Sequence, residues 1–325
     1  MSYHFHRIFD FKNRILQKNW TMKLFKKLAL GFLAILVLIL VGGYIYFDQK
    51  FTPEENYLTV KNESGIIPIT WLGNDKNVLL LPIHFSGNPE TYYLQFDTGS
   101  PYTVFYSNQI KNIKEISINN ERAKTFFFIG KTEISSNRFK IFTKEKNEEK
   151  DTIKIIGTIG SDVLEDRKTT INFKHNQVVF NLNQIPNEFK NQLFDFKFKK
   201  RRIIINGILK GEKRKFLYDS GTSAYEFLTY KEEWQNLKSK NSKINIEKAQ
   251  SWNNVLTTYT TDCKENIQFK NLPIPVKQVT YVEGFSDAQF SMMKYSGMTG
   301  MLGNKIFLNN SIFIDCGDKK IGIID

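Results

Sequence analysis

Two short stretches of this chain carry residue types suited to acid–base chemistry, and they carry them in the same order. Tyr92-Tyr93-Leu94-Gln95-Phe96 runs into Asp97-Thr98-Gly99-Ser100, and Lys215-Phe216-Leu217-Tyr218 runs into Asp219-Ser220-Gly221-Thr222. Each is an apolar run of strand composition, then Asp, a small hydroxyl residue, Gly and a second hydroxyl residue. One four-residue match of this kind carries little weight, whereas two inside matching contexts are hard to obtain by accident. The glycine lets the backbone turn tightly and lets another segment come close. The hydroxyl one place after each Asp is suited to bond across to an equivalent loop. The hydroxyl three places after it is suited to support the carboxylate. Two such loops meeting on a two-fold axis would set the carboxyls within about 3 Å, where they share one proton. One then takes a proton from water while the other gives one to a carbonyl oxygen. That is attack of activated water on an amide, with no metal and no covalent intermediate.

The surroundings of the two motifs repeat as well. Gly157-Thr158-Ile159-Gly160-Ser161-Asp162-Val163-Leu164 follows the first, and Gly300-Met301-Leu302-Gly303-Asn304-Lys305-Ile306-Phe307 follows the second. Both continue without a gap into Thr170-Ile171-Asn172-Phe173 and Phe313-Ile314-Asp315-Cys316, then into Gln177–Phe180 and Lys320–Ile323. Before each Asp lies a hairpin signal, with turns at Ser86-Gly87-Asn88-Pro89 and at Lys210-Gly211-Glu212. The chain is therefore an internal duplication.

The elements that must position these motifs are mostly strands. From Gly65 onward, short apolar runs such as Thr125–Gly130 and Arg138–Phe142 alternate with turn residues, the all-β pattern. The Phe-rich strands read as core. Tyr230 to Lys238 is the one helix expected in the second repeat, and Val255–Thr260 reads as half of a projecting hairpin. Glu145 to Asp151 reads as a charged loop, and Asn183 to Lys197 as the connection between repeats. The 325 residues suffice for two cores.

Leu28 to Phe47 contains no charge and is long enough to cross a bilayer as a helix. Lys23, Lys26 and Lys27 precede it, with Arg7, Lys12, Arg14 and Lys18 further upstream, so residues 1–27 are expected to be cytoplasmic, 28–47 a single transmembrane helix, and 48–64 an external tether. An uncleaved anchor is expected rather than a signal peptide cut near Val41-Gly42-Gly43. Met22 opens a second basic stretch of the N-region type. The net charge is +13, about half of it from the first 27 residues. Lys199-Lys200-Arg201-Arg202 is the dense basic run elsewhere and reads as a solvated loop. No aromatic-interleaved basic platform is present, so no nucleic-acid partner is expected. His4, His6, His84 and His175 lack metal-ligand spacing, and neither a phosphate loop nor a Gly-x-Ser-x-Gly elbow is present. No metal or cofactor is expected. Cys263 and Cys316 are open to pairing outside the membrane or to remaining buried thiols.

The two motifs and their contexts resemble the pepsin-like and retropepsin-like aspartic proteases in their single-chain, two-lobe arrangement. The likeness covers residue 65 to the C-terminus, and the short repeats resemble bacterial retropepsin-like units. It implies a bilobal all-β fold with one lobe over 65–190 and the other over 191–325. It assigns catalysis to Asp97 and Asp219, the clasp between loops to Thr98 and Ser220, and carboxylate support to Ser100 and Thr222. Gly99 and Gly221 complete the loops, and Thr158-Ile159-Gly160 and Met301-Leu302-Gly303 back them. The family's glycine-rich flap with its tyrosine is missing from Tyr106–Lys124, and Trp252–Tyr259 is the stretch that could cover the site from the second repeat. The expected function is a membrane-anchored endopeptidase, its catalytic part extracytoplasmic and its optimum mildly acidic, acting on a peptide or protein substrate. A monomer suffices for the site. The alternative is a non-catalytic peptide-binding or scaffolding module on the same fold.

Overall fold

The computed structural model describes residues 2–143, 153–251, 254–284 and 296–325. The chain forms two units, Met1–Glu54 and Glu55–Asp325. The first is helix α1 (Ser2–Lys50), whose Phe25–Lys50 stretch is long and apolar enough to cross a membrane by length and composition. At 1.5 Å per residue that stretch spans about 39 Å, and a helix satisfies its own backbone polar groups as lipid requires.

The second unit is mostly β. Its first half holds β1 (Thr59–Lys61), β2 (Ile67–Pro68), β3 (Thr70–Leu72), β4 (Val78–Ile83), β5 (Tyr92–Phe96) and β6 (Val104–Tyr106). It continues through β7 (Ser117–Asn119), β8 (Arg122–Ile129), β9 (Thr132–Phe142), β10 (Ile155–Ile159), β11 (Lys168–Asn172) and β12 (Gln177–Val179). Alternation makes these strands: in β8, Ala123, Thr125, Phe127 and Ile129 point inward while Lys124 and Phe126 face out. The expected tether over 48–64 is only partly one. Helix α1 continues to Lys50, and Thr59–Lys61 pairs with Glu133–Ser135 of β9. The expected charged loop Glu145–Asp151 lies outside the described residues.

The second half holds β13 (Leu193–Lys199), β14 (Arg202–Leu209), β15 (Glu212–Tyr218), β16 (Phe227–Thr229) and β17 (Asn245–Ser251). Then come β18 (Asn254–Phe269), β19 (Leu272–Glu283), β20 (Gly300–Leu302), β21 (Ser311–Asp315) and β22 (Lys320–Ile324). The expected helix is present as α2 (Lys231–Leu237), burying Trp234 and Leu237. Asn254–Thr260 pairs with Asn245–Ser251 as a long hairpin, while Trp252 and Asn253 lie outside the described residues.

The two halves share one strand order. The first runs β4-β5-β10-β6-β9-β8-β7 and the second β14-β15-β20-β16-β19-β18-β17. The strands carrying the aspartates are each joined in parallel to the later apolar segment, with Phe96 against Ile159 and Tyr218 against Leu302. Between the halves, β2-β12-β11-β21-β22-β13 run antiparallel as one continuous sheet. At its centre Thr170 stands opposite Phe313, the residue that the repeat equates with it. A strand pairing with its own equivalent about such a point is what a local two-fold axis produces. Lys168 and Asp315 tie the same seam by an ion pair at 3.2 Å.

The largest fully buried side chains are Tyr218 and eleven phenylalanines, among them Phe96, Phe105, Phe173, Phe216 and Phe313. Burial of each contributes roughly 1.5–3 kcal/mol. Cys263 and Cys316 are both free thiols within this core.

Candidate active site

Each aspartate is delivered by the end of its strand. The Asp97 N–H donates to Ile159 O at 3.0 Å and the Asp219 N–H to Leu302 O at 2.9 Å, so the later apolar segments fix where the loops begin. The loops then grip each other. Thr98 Oγ1 donates to Tyr218 O (3.0 Å) and accepts from the Ser220 N–H (2.9 Å). Ser220 Oγ donates to Phe96 O (2.9 Å) and accepts from the Thr98 N–H (2.9 Å). Both hydroxyls are fully buried, so four hydrogen bonds of one pattern lock the halves together in a low-dielectric setting.

The clasp brings the carboxyls together. Asp97 and Asp219 are within hydrogen-bonding reach of each other. The glycines permit it: a Cβ added to Gly99 would lie 2.5 Å from Asp219 Cγ, and one added to Gly221 would lie 2.5 Å from Asp97 Cγ. Backbone donors orient each group. Asp97 Oδ1 accepts from Gly99 N (2.8 Å) and Ser100 N (3.1 Å), and Asp219 Oδ1 accepts from Gly221 N (2.9 Å). Both side chains keep partial exposure, so water reaches them.

Burial pushes the Asp97 carboxyl up to about 8, helped by the neighbouring Asp219 charge and their mutual hydrogen bond, against the pull of the Gly99 and Ser100 N–H groups. Burial also raises Asp219, opposed by the hydrogen bond from Asp97, the Gly221 N–H and the Arg202 guanidinium. Asp97 therefore keeps its proton through neutral pH.

Ser100 and Thr222 act differently from expectation. Ser100 Oγ donates to Tyr102 O (2.8 Å) and Thr222 Oγ1 to Asp219 O (2.8 Å), so each hydroxyl supports loop backbone and not a carboxylate. Oδ1 of each carboxyl is instead met by backbone N–H groups. Ser100→Ala combined with Thr222→Ala is expected to leave the acid limb of any pH profile in place. Each change should cost about 0.5–1.5 kcal/mol in thermal denaturation, the usual worth of one hydrogen bond.

Three further groups complete the site. Ser161 Oγ donates to Thr98 O (2.7 Å), and at the equivalent position Asn304 Nδ2 donates to Ser220 O (3.2 Å). Asn304 is held in turn by the Tyr218 hydroxyl at 2.8 Å. The third group corrects the reading of the basic run. Lys200 and Arg201, with φ of 53° and 57°, form the two-residue turn of the β13–β14 hairpin, and this run is no solvated loop. Arg201 is 4% exposed, with Nε 3.0 Å from Glu165 Oε2 and Nη1 on Pro101 O (3.3 Å). Arg202 Nη1 donates to Gly99 O, inside the first aspartate loop. Unlike Ser161 and Asn304, the arginines were visible in the sequence as a charged cluster, but their direction was not.

Among the described residues the first half offers the short β7–β8 turn near Asn120, whereas the second half raises the long β17–β18 hairpin. Leu256 and Thr258 on β18 are buried, while Ile246 and Val255 are 62% and 56% exposed. The Thr258 side chain is bonded to Tyr225, just beyond the Asp219 loop. No protein-family model matches the chain, and no curated protein matches it.

Proposed function

We propose that the chain is a membrane-anchored aspartic endopeptidase of the pepsin-like and retropepsin-like kind, a bilobal fold with lobes over 65–190 and 191–325. The observation that carries this reading is the pair of hydrogen-bonded carboxyls, Asp97 and Asp219, held by a reciprocal clasp. A monoanionic pair supplies both partners that amide hydrolysis needs. Its ionised carboxylate takes a proton from the attacking water, and its protonated carboxyl gives one to the carbonyl oxygen. Collapse of the tetrahedral intermediate returns the pair to its starting state once the amine leaves with a proton. The N-terminal helix anchors the catalytic unit with its basic end in the cytoplasm, by the excess of Lys and Arg before residue 28. The β17–β18 hairpin is the element suited to cover a bound peptide.

The test is digestion of an unfolded protein by the full chain in detergent over a pH series, with and without pepstatin. Cleavage should be blocked by the inhibitor. Its alkaline limb should lie near pH 8, because Asp97 holds the shared proton up to about 8. The working range then extends from mild acid to neutrality. Peptide binding without turnover at any pH would instead favour the non-catalytic binding module.

A further inference from the structure

The two-fold arrangement of the site is broken at one place. In the β14–β15 ladder Ile204 stands opposite Leu217 and Ile203 opposite Tyr218, so the next rung sets Arg202 against Asp219. In the β4–β5 ladder the last pair is Leu80 with Gln95, and continuing that register two residues further brings Val78 to the position that matches Asp97. One aspartate thus faces a cation across its strand pair, and the other faces an aliphatic residue.

Arg202 is part-buried and reaches the carbonyl of Gly99, whose Cα lies against the Asp219 carboxyl. The rest of its guanidinium has no partner among the described residues. Its charge therefore acts through space on the carboxyls, on Asp219 ahead of Asp97. The other charged groups nearby do not offset it. Arg201 is paired with Glu165 behind the first loop, and Asp162 is bound by the Thr103 N–H and hydroxyl at 2.7 Å each. The Tyr218 phenol, raised by burial, is engaged with Asn304. From the loops themselves backbone N–H groups face the pair, those of Gly99 and Ser100 towards Asp97 and those of Gly221 and Gly99 towards Asp219.

We propose that Arg202 is a positioning residue that makes the two carboxyls inequivalent, keeping the negative charge on Asp219 and the shared proton on Asp97. A cation stabilises the nearer anion more, and falls off with distance in a partly desolvated site. Asp219 is then the group that accepts the proton from water, and Asp97 the group that protonates the carbonyl oxygen. This rests on reading the pair as proton-sharing, but its test needs no turnover.

The test isolates each carboxyl. Asp97→Asn leaves Asp219 alone beside Arg202, and Asp219→Asn leaves Asp97 alone. Full-chain variants labelled with 13C at the aspartate carboxyl are titrated by NMR in detergent micelles. Asp219 in the first variant is expected to titrate about one pH unit or more below Asp97 in the second. Adding Arg202→Met to each should close most of that gap, and Arg202→Lys should keep most of it. Equal titration of the two lone carboxyls, or a gap unchanged by Arg202→Met, overturns the proposal. The first comparison stands even if Arg202→Met does not fold. A gap without proteolysis leaves this inference intact and removes the protease reading, whereas proteolysis without a gap does the reverse.

Discussion

Asp97→Asn is expected to lower peptide hydrolysis by roughly a hundredfold to ten-thousandfold while raising stability at neutral pH, and Asp219→Asn to do the same. The carboxamide keeps the size of the carboxyl but cannot exchange the proton that the reaction passes between the pair. The gain in stability follows from the direction of the shift. Asp97 is held up to about 8 in the folded chain, against an ordinary value of 3.8. At low pH the group is protonated folded or unfolded, and burial costs nothing extra in charge. As pH rises from about 4 towards 8 the unfolded chain releases the proton while the folded one retains it, so stability is lost across that window. Asparagine has no proton to release. At pH 7 the variant should gain on the order of 2 kcal/mol, about 4–8 °C in melting temperature for a unit of this size. At pH 4 it should melt close to the parent. Loss of activity with no pH-dependent gain would mean that the carboxyls are better solvated than their surroundings imply. Retained activity would remove both from catalysis.

Thr98→Val should have the second largest effect, and on folding first. The change keeps the shape but deletes one donor and one acceptor, leaving Tyr218 O and the Ser220 N–H without partners in a fully buried seam. An unsatisfied buried group costs about 1–3 kcal/mol, so the total for the two is about 2–6 kcal/mol. Ser220→Ala removes the mirror pair of bonds to Phe96 O and the Thr98 N–H and should cost a similar amount. Because each hydroxyl holds the backbone that presents the other, the double variant should lose less than the sum. Urea denaturation of the four proteins measures this. Additive losses, or a Thr98→Val protein as stable as the parent, would show that the clasp does not act as one unit.

The sequence made the two Asp loops legible because their residue types repeat where the physics repeats. Each needs a carboxyl, a hydroxyl to cross over and a glycine that leaves room for the opposite carboxyl. The strands around them were legible for the same reason, through alternation as in β8. What stayed hidden lacked a counterpart. Arg202 has only Val78 as its equivalent, and it follows a turn of Lys200 and Arg201 that carries neither glycine nor asparagine. Ser161 and Asn304 do equivalent work with different side chains, so comparing the repeats does not single them out. The hydroxyls of Ser100 and Thr222 were placed in the right loops but given the wrong acceptor, since spacing alone does not say which oxygen is nearest. Strand β1 is three residues of mixed exposure, too short for any period to show.

The seam between the halves also has a consequence in time. β11 finds its partner β21 roughly 140 residues later, an interval of about 7–28 s at ordinary rates of synthesis. Through that interval the nascent first half presents the bare edge of β11, an open template for another strand. A second nascent copy carries the same edge. Crowded ribosomes on one message would favour strand exchange between neighbouring chains, and slower spacing of ribosomes would favour closure of each chain upon itself.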